Sequence, residues 1–247
     1  MKSISQSDPV ELSSGPRFAK KSKVPRSQDE LRIMTVLRHQ IDPVVRPLAA
    51  RLGKRSMDVA LALFFIFLFA PVLLAVALAV KWSSEGPVLF SQVRVGKGGR
   101  LFRFYKFRSM VTDAEAMKEN LAAKNEKSGP IFKIQYDPRI TRVGRFLRMY
   151  SLDELPQLFS VLNGDMSVVG PRPPVPSEVV QYESWQLRRL AVTPGLTCIW
   201  QTSGRSRVTF DEWMRMDLEY IDNWSLALDA KLLLKTVGAV LTADGAY

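Results

Sequence analysis

Apolar residues are spread unevenly along the chain. One run, VALALFFIFLFAPVLLAVALAV at 59–80, has 22 residues and no charge. As an α-helix rising ~1.5 Å per residue it would be about 33 Å long, enough to cross a hydrocarbon layer of about 30 Å. Length alone therefore favours a straight span. Two features oppose it. Arg46, Arg51, Lys54 and Arg55 precede the run, and Lys81, Arg94, Lys97, Arg100, Arg103, Lys106 and Arg108 follow it. The bias of cationic residues toward the cytoplasmic side asks for one such flank, not two. Pro71 also removes a backbone donor and crowds the preceding turn, which bends a helix. A bent helix could enter and leave on the same face if its freed carbonyls find partners. The residues alone leave both readings open.

After Lys81 the pattern becomes that of a water-facing domain. VLFSQVRVGKGGRLFRFYKF alternates on either side of Gly96, Lys97, Gly98 and Gly99, which predicts a β-hairpin. GKGGR lacks the GxxxxGK[ST] spacing and lies between strands, so it reads as a hairpin turn, not a phosphate cradle. Helices are predicted over 111–124, after the basic stripe within 139–162, over 177–192 and over 209–222. A loop is expected at 124–130, a stiff loop at GPRPPVP (170–176), a turn at WQTSGRS and an amphipathic helix at SLALDAKLLLKTVGAVLTA. No internal repeat is visible. The expected class is α+β: a mostly helical, membrane-associated domain with a small β-hairpin or sheet, an N-terminal apolar helix and interfacial amphipathic helices. Residues 1–30 are polar and read as disordered near an anionic surface, and 31–50, broken by Pro43 and Pro47, as a short interfacial helix. The organisation is thus a polar extension (1–50), an apolar helix (51–82) and a water-facing domain (83–247).

Charge narrows the partners. Across 247 residues, 35 Lys and Arg face 24 Asp and Glu, a formal net charge of +11, which points to an anionic partner. No C₂H₂ spacing, RNP-type sequence or helix-turn-helix is present, so the charge is assigned to phosphates of a small substrate and of lipid, not to nucleic acid. The single cysteine, Cys198, excludes an internal disulfide and a Cys-rich zinc site, and reads as a packed small side chain. The single histidine, His39, argues against a Ser-His-Asp triad or a multi-His metal site, which leaves carboxylates or lysines as general bases. The first 30 residues carry no apolar core of the kind a cleavable signal needs. The five tryptophans read either as an interfacial belt or as core.

Candidate chemistry centres on SLDELPQL at 151–158. Asp153 and Glu154 are adjacent acids, downstream of Arg139, Arg142, Arg145 and Arg148. One reading is helix capping, either as a Ser151–Glu154 capping box or with Asp153 as N-cap and Pro156 in the first turn. The other is phosphoryl chemistry, with a carboxylate as nucleophile or Mg²⁺ ligand and arginines neutralising a diphosphate. The arginine stripe fits anionic headgroups equally well. In VVGPRPPVP the prolines stiffen the backbone, so Arg172 is presented with little entropy loss, or else the segment is simply a structural turn.

Taken in order, KRSMD with the proline-broken apolar run, GPVLFSQVRVGKGG, FRFYKFRSM, SLDELPQL, MSVVGPRP and TPGLTCIWQTSGRS resemble the bacterial sugar transferases, the monotopic phosphoglycosyl transferases that start polysaccharide assembly. The resemblance covers residues 50–247. It implies transfer of a sugar 1-phosphate from a UDP-sugar to polyprenol phosphate with release of UMP. It also implies a re-entrant helix bent at a Ser-Pro pair with both ends cytoplasmic, here Ala70-Pro71. By position, Asp153 matches the nucleophile and Glu154 its partner, the two also holding Mg²⁺. Arg148 matches a phosphate-binding arginine, and Pro171, Arg172 and Pro173 a PRP motif near the nucleotide. Lys106, Phe107 and Arg108 match the KFRSM segment. With Arg145, these complete the expected substrate-binding set. Lys54, Arg55 and Asp58 match residues at the mouth of the membrane helix.

The implied mechanism is ping-pong. Asp153 attacks the phosphorus bearing the sugar, and polyprenol phosphate then takes the phosphosugar from the aspartate. WQTSGRS and the GAY tail look like members that transfer hexose 1-phosphate in exopolysaccharide synthesis, which implies UDP-glucose or UDP-galactose. The implied location is the cytoplasmic face of the bacterial inner membrane, with membrane lipid as a partner and homo-oligomerisation left open. Two rivals stand beside this reading: a single-span membrane adaptor with a basic lipid-binding domain, and a metal-dependent membrane phosphohydrolase.

Overall fold

The structure, a computed structural model, describes residues 39–126, 129–203 and 208–242. The expectations for residues 1–38, for the SGRS part of WQTSGRS beyond Ser203 and for the GAY tail lie outside the described residues. The apolar run forms two helices, α1 (Leu48–Leu68) and α2 (Ala70–Ser83), bent by 63°. The break falls at Phe69, and Pro71 sits in the first turn of α2, where its missing N–H has no intrahelical partner to lose. Helical bonding resumes on each side, with Phe69 N donating to Phe65 O at 2.9 Å and Leu73 N to Phe69 O at 2.8 Å. The bend is thus present with alanine at position 70. No single described helix is long and apolar enough to cross a membrane, whereas the bent pair together has the required length and composition. Its outer side exposes Leu63, Phe64, Phe67, Leu74 and Trp82.

Polar residues at the start of α1 tie the pair to the rest of the molecule. Asp58 is buried and accepts from Ser167 Oγ (2.9 Å) and Val168 N (3.0 Å). Lys54 Nζ lies 2.8 Å from Asp229 Oδ2 and 3.0 Å from Val169 O. Arg55 forks onto Val161 O (2.6 Å) and Leu162 O (2.7 Å), carbonyls near the end of α5 (Gln157–Asn163). The mouth residues of the apolar helix are thus a docking device.

The predicted hairpin is present: β1 (Leu89–Val95) pairs antiparallel with β2 (Leu101–Phe107), Leu89 opposite Phe107 and Val95 opposite Leu101. Its turn is closed by Gly98 and Gly99 at positive φ, as the hairpin-turn reading expects. Phe102 and Phe104 of β2 enter the main core with Leu158, Val161, Met166, Val169 and Tyr220. A second, parallel pair joins β3 (Ser167–Val169) to β4 (Gly195–Thr197). A Cβ on Gly195 would lie 2.0 Å from Gly170 N, so this crossing requires glycine.

Two predicted helices are shorter than their patterns. Over 111–124 only α3 (Met117–Asn120) and a 3₁₀ turn form. Ala114 and Leu121 are the buried side chains of that stretch, too narrow an apolar face to hold three turns. Residues 177–192 divide into α6 (Pro176–Val179), α7 (Ser184–Leu187) and a 3₁₀ turn (Arg188–Ala191). Gln186 Oε1 accepts from Glu183 N at 2.9 Å and starts α7 afresh. WQTSGRS opens with a short helix, α8 (Ile199–Thr202), rather than a turn. The helices α9 (Phe210–Asp222) and α10 (Leu226–Thr242) follow the prediction. With α4 (Arg142–Met149) before α5, the molecule is a mixed α+β fold dominated by helix.

Candidate active site

The site is built around a sharp turn. Thr141 caps α4, its Oγ1 accepting from Gly144 N at 2.9 Å. Gly144 presses on the strand end after β2: a Cβ there would lie 1.9 Å from Ser109 O. After α4, Ser151 adopts φ 55°, alone among described non-glycine residues in having positive φ. A left-handed serine is uncommon and persists where its surroundings enforce it. It throws the chain into a 3₁₀ turn, Leu152–Glu154, before Pro156 opens α5. Neither capping reading holds: Ser151 makes no side-chain cap bond, and Asp153 sits inside the 3₁₀ turn, buried.

Around this turn gather residues from three other segments. Lys106 comes from β2, which packs on the 3₁₀ turn; Arg148 comes from the end of α4, and Arg172 from the proline loop. Arg172 Nη1 pairs with Glu154 Oε1 at 2.8 Å. Burial raises the Asp153 carboxyl above the usual carboxylate range and the Glu154 charge raises it further, against the pull of Lys106, Arg148 and Arg172. Lys106 is pushed down to about 8, first by burial and then by Arg148, Arg94 and Arg172, with Asp153 opposing. Arg148 Nη1 and Gln157 Nε2 are buried without a hydrogen-bond partner among the described residues. Such donors are costly to leave unmet, and phosphate oxygens would satisfy them.

The proline loop is clamped through its carbonyls. Gly195 N donates to Pro171 O (2.9 Å), Arg189 Nη2 to Arg172 O (2.8 Å), and Arg94 Nη1 to Pro173 O (2.9 Å). Arg189 is itself buried, bonded to Asp217 Oδ2 through Nε at 2.9 Å and to Tyr182 Oη through Nη1 at 2.6 Å. Arg172 thus projects from a backbone fixed on three sides.

The structure brings together Asp153, Glu154, Lys106, Arg148 and Arg172. Pro171 and Pro173 contribute carbonyls to the clamp. Arg145 lines a concavity that it shares with Arg148. Arg108 does not join the group: its guanidinium bonds to the carbonyls of Val80 (3.2 Å), Ser84 (2.8 Å) and Glu85, closing the end of α2. Ala70 and Pro71 lie just past the bend. Arg94 and Arg189 were not singled out in the sequence. Arg94 looks like one polar position of an alternating strand and Arg189 like one of a surface pair, and only tertiary packing reveals their role. Cys198 is buried, and its Sγ donates to Gln201 Oε1 at 3.0 Å, consistent with a packing residue.

A buried carboxylate, a second carboxylate held by arginine, and a surround of cations form a site suited to an anionic ligand. The chain belongs to the bacterial sugar transferase family, whose model matches residues 49–243. It is 46% identical over 196 residues to galactosyl transferase CpsE of Streptococcus agalactiae, covering 79% of this chain and 43% of that protein. It is 41% identical over 207 residues to exopolysaccharide production protein ExoY of Rhizobium meliloti, covering 82% of this chain and 91% of the relative. A UDP-glucose:undecaprenyl-phosphate glucose-1-phosphate transferase of Caulobacter vibrioides is 42% identical over 207 residues, covering 81% of this chain and 73% of that relative. The chain spans less than half the length of several of the relatives it matches, CpsE among them.

Proposed function

We propose that this protein is a phosphoglycosyl transferase that moves a sugar 1-phosphate, a hexose in this reading, from a UDP-sugar to polyprenol phosphate, through a covalent intermediate on Asp153, as the first membrane step of exopolysaccharide synthesis. The observation that carries the proposal is Asp153 itself, buried on a strained turn beside Glu154 and faced by Lys106, Arg148 and Arg172. An Asp153 carboxylate oxygen attacks the phosphorus that bears the sugar, and the bond from that phosphorus to the oxygen of UMP breaks. The resulting acyl phosphate is attacked at the same phosphorus by polyprenol phosphate, which forms a lipid diphosphate and frees the carboxylate. Arg148, Lys106 and the clamped Arg172 hold the equatorial phosphoryl oxygens without moving. Glu154 fixes Arg172 through its 2.8 Å pair.

Mg²⁺ fits this donor set. No group of three or more acidic, His or Cys side chains that could hold a metal occurs among the described residues. Mg²⁺ needs only one or two carboxylates when phosphates and water complete its shell. Asp153 and Glu154 would hold it, and when bound it offsets charge on the diphosphate.

The exposed apolar side of α1 and α2 supports insertion into a bilayer as a re-entrant pair at the cytoplasmic face of the inner membrane, which would bring a lipid acceptor to the turn at Asp153. Val76 and Val80 of α2 pack with Phe107 and Leu147 directly beneath the site. The intermediate is tested by incubating protein with UDP-glucose or UDP-galactose without acceptor, then mapping peptides by mass spectrometry. A hexose phosphate adduct on the Asp153 peptide, released on adding polyprenol phosphate, is expected. Turnover with both substrates but no adduct would favour direct transfer.

A further inference from the structure

Beside the cationic cluster lies a concavity of about 260 Å³, lined by Gln135, Tyr136, Asp137, Ile140, Arg145, Arg148 and Met149. We propose that it receives the sugar of the donor and is the part of the site that discriminates between sugars. This rests on the phosphosugar transfer proposed above. Arg148 belongs to both places, since it lines the concavity and acts on the Asp153 carboxylate. Met149 and Asp153 stand on either side of the Ser151 turn. A phosphosugar bound at Arg148 would thus have this space beside it to receive its sugar.

Size and chemistry select the sugar over the nucleoside. The volume falls below the about 300–1,000 Å³ of pockets that enclose drug-sized ligands, and suits one pyranose ring. Ile140 and Met149 offer an apolar surface to the C–H face of a sugar. The Gln135 amide both donates and accepts, and the Arg145 guanidinium donates, as hydroxyl groups require. Neither side chain is engaged in a hydrogen bond or ion pair among the described residues. Tyr136, 80% exposed, stands at the rim with its ring free to cover a bound sugar.

Internal hydrogen bonds hold the wall together. Gln135 N donates to Glu126 Oε1 and Lys133 N to Asn125 Oδ1, both at 2.9 Å. Arg139 grips Asp137 in a fork of 2.9 and 2.7 Å and donates to Ala114 O at 3.0 Å. The carboxylate of Asp137 is thus held in place by Arg139, and Gln135 and Arg145 are the side chains left to donate to hydroxyls. Because the sugar stays on Asp153 after UMP departs, such a wall acts in both half-reactions.

The test uses the full chain in detergent with Mg²⁺, polyprenol phosphate and UDP-sugars differing at single positions, UDP-glucose and its C4 epimer UDP-galactose among them. Gln135→Ala and Tyr136→Ala both alter exposed side chains, and an unchanged melting temperature shows that they fold. The expected result is a tenfold or greater change in the ratio of kcat/KM between the preferred sugar and its epimer, with inhibition by UMP unchanged. A smaller change in that ratio overturns the assignment, whatever happens to the rate. Weaker UMP inhibition, equal for every donor, also overturns it and gives the concavity to the nucleotide. Failure of the underlying transferase reading looks different: the wild type would then release no UMP from any donor.

Discussion

At the scale of single residues the proposed chemistry turns on Asp153 and Lys106. Lys106 is half-buried, and the cations Arg148, Arg94 and Arg172 face it together with Asp153. Its ammonium therefore loses its proton near pH 8 rather than in the usual lysine range. Above that pH the free enzyme has one cation fewer for a diphosphate. We expect kcat/KM to fall as pH rises through about 8, because that parameter reports the free enzyme. Bound diphosphate favours the charged lysine, so the fall in kcat lies at higher pH. In Lys106→Arg, whose side chain stays charged, the alkaline fall in kcat/KM moves upward; a limb that stays in place in that variant assigns it to another group. Asp153, Glu154 and Arg172 were picked out through the resemblance of SLDELPQL and MSVVGPRP to the family; adjacent acids alone do not mark a site, since Asp29-Glu30 and Asp211-Glu212 have the same pattern. The strain at Ser151 was not legible in the sequence, since Ser-x-x-Glu also spells a capping box, and only the fold forces the serine into the left-handed region.

Among the elements, the docking of α1 decides whether the apolar pair and the turn at Asp153 keep their relation. Lys54 stands between Asp58 and Asp229, whose side chains are 5% and 0% exposed. Tyr220 Oη and Trp224 Nε1 also bond to Asp229, at 2.8 and 3.0 Å. Lys54→Met removes the cation and leaves two buried carboxylates, a change that costs on the order of 3–5 kcal/mol when one partner of a buried pair is lost. Thermal unfolding in detergent should show a clear drop in melting temperature, partly restored when Asp229→Asn is added. An unaltered melting temperature would mean that the network does not hold α1. The hairpin and the last two helices could be read from alternation and capping, since their apolar faces are wide. The segments 111–124 and 177–192 could not, because helical composition there lacks a continuous buried face and because the turn around Arg189 is imposed by a buried ion pair with Asp217 at 2.7 Å.

For the molecule as a whole, the bent apolar pair carries the claim about membrane topology. The doubled basic flank and Pro71 left a bend open beside a straight span; the break falls at Phe69, two residues before Pro71, where the Phe65 and Phe69 rings stack 5.9 Å apart. Single cysteines at Arg51→Cys and Ser84→Cys, in a chain whose own Cys198 is buried, should react with a membrane-impermeant maleimide from the same side of inverted vesicles. Labelling from opposite sides would establish a span and bring the adaptor reading forward. The most direct measurement of the proposed function is nucleotide release from purified protein given Mg²⁺, polyprenol phosphate and a panel of UDP-sugars, with Asp153→Asn alongside. UMP should appear with the lipid acceptor present and only from the wild type. Release of UDP, or equal release of UMP by Asp153→Asn, would contradict attack by Asp153 on the sugar-bearing phosphorus.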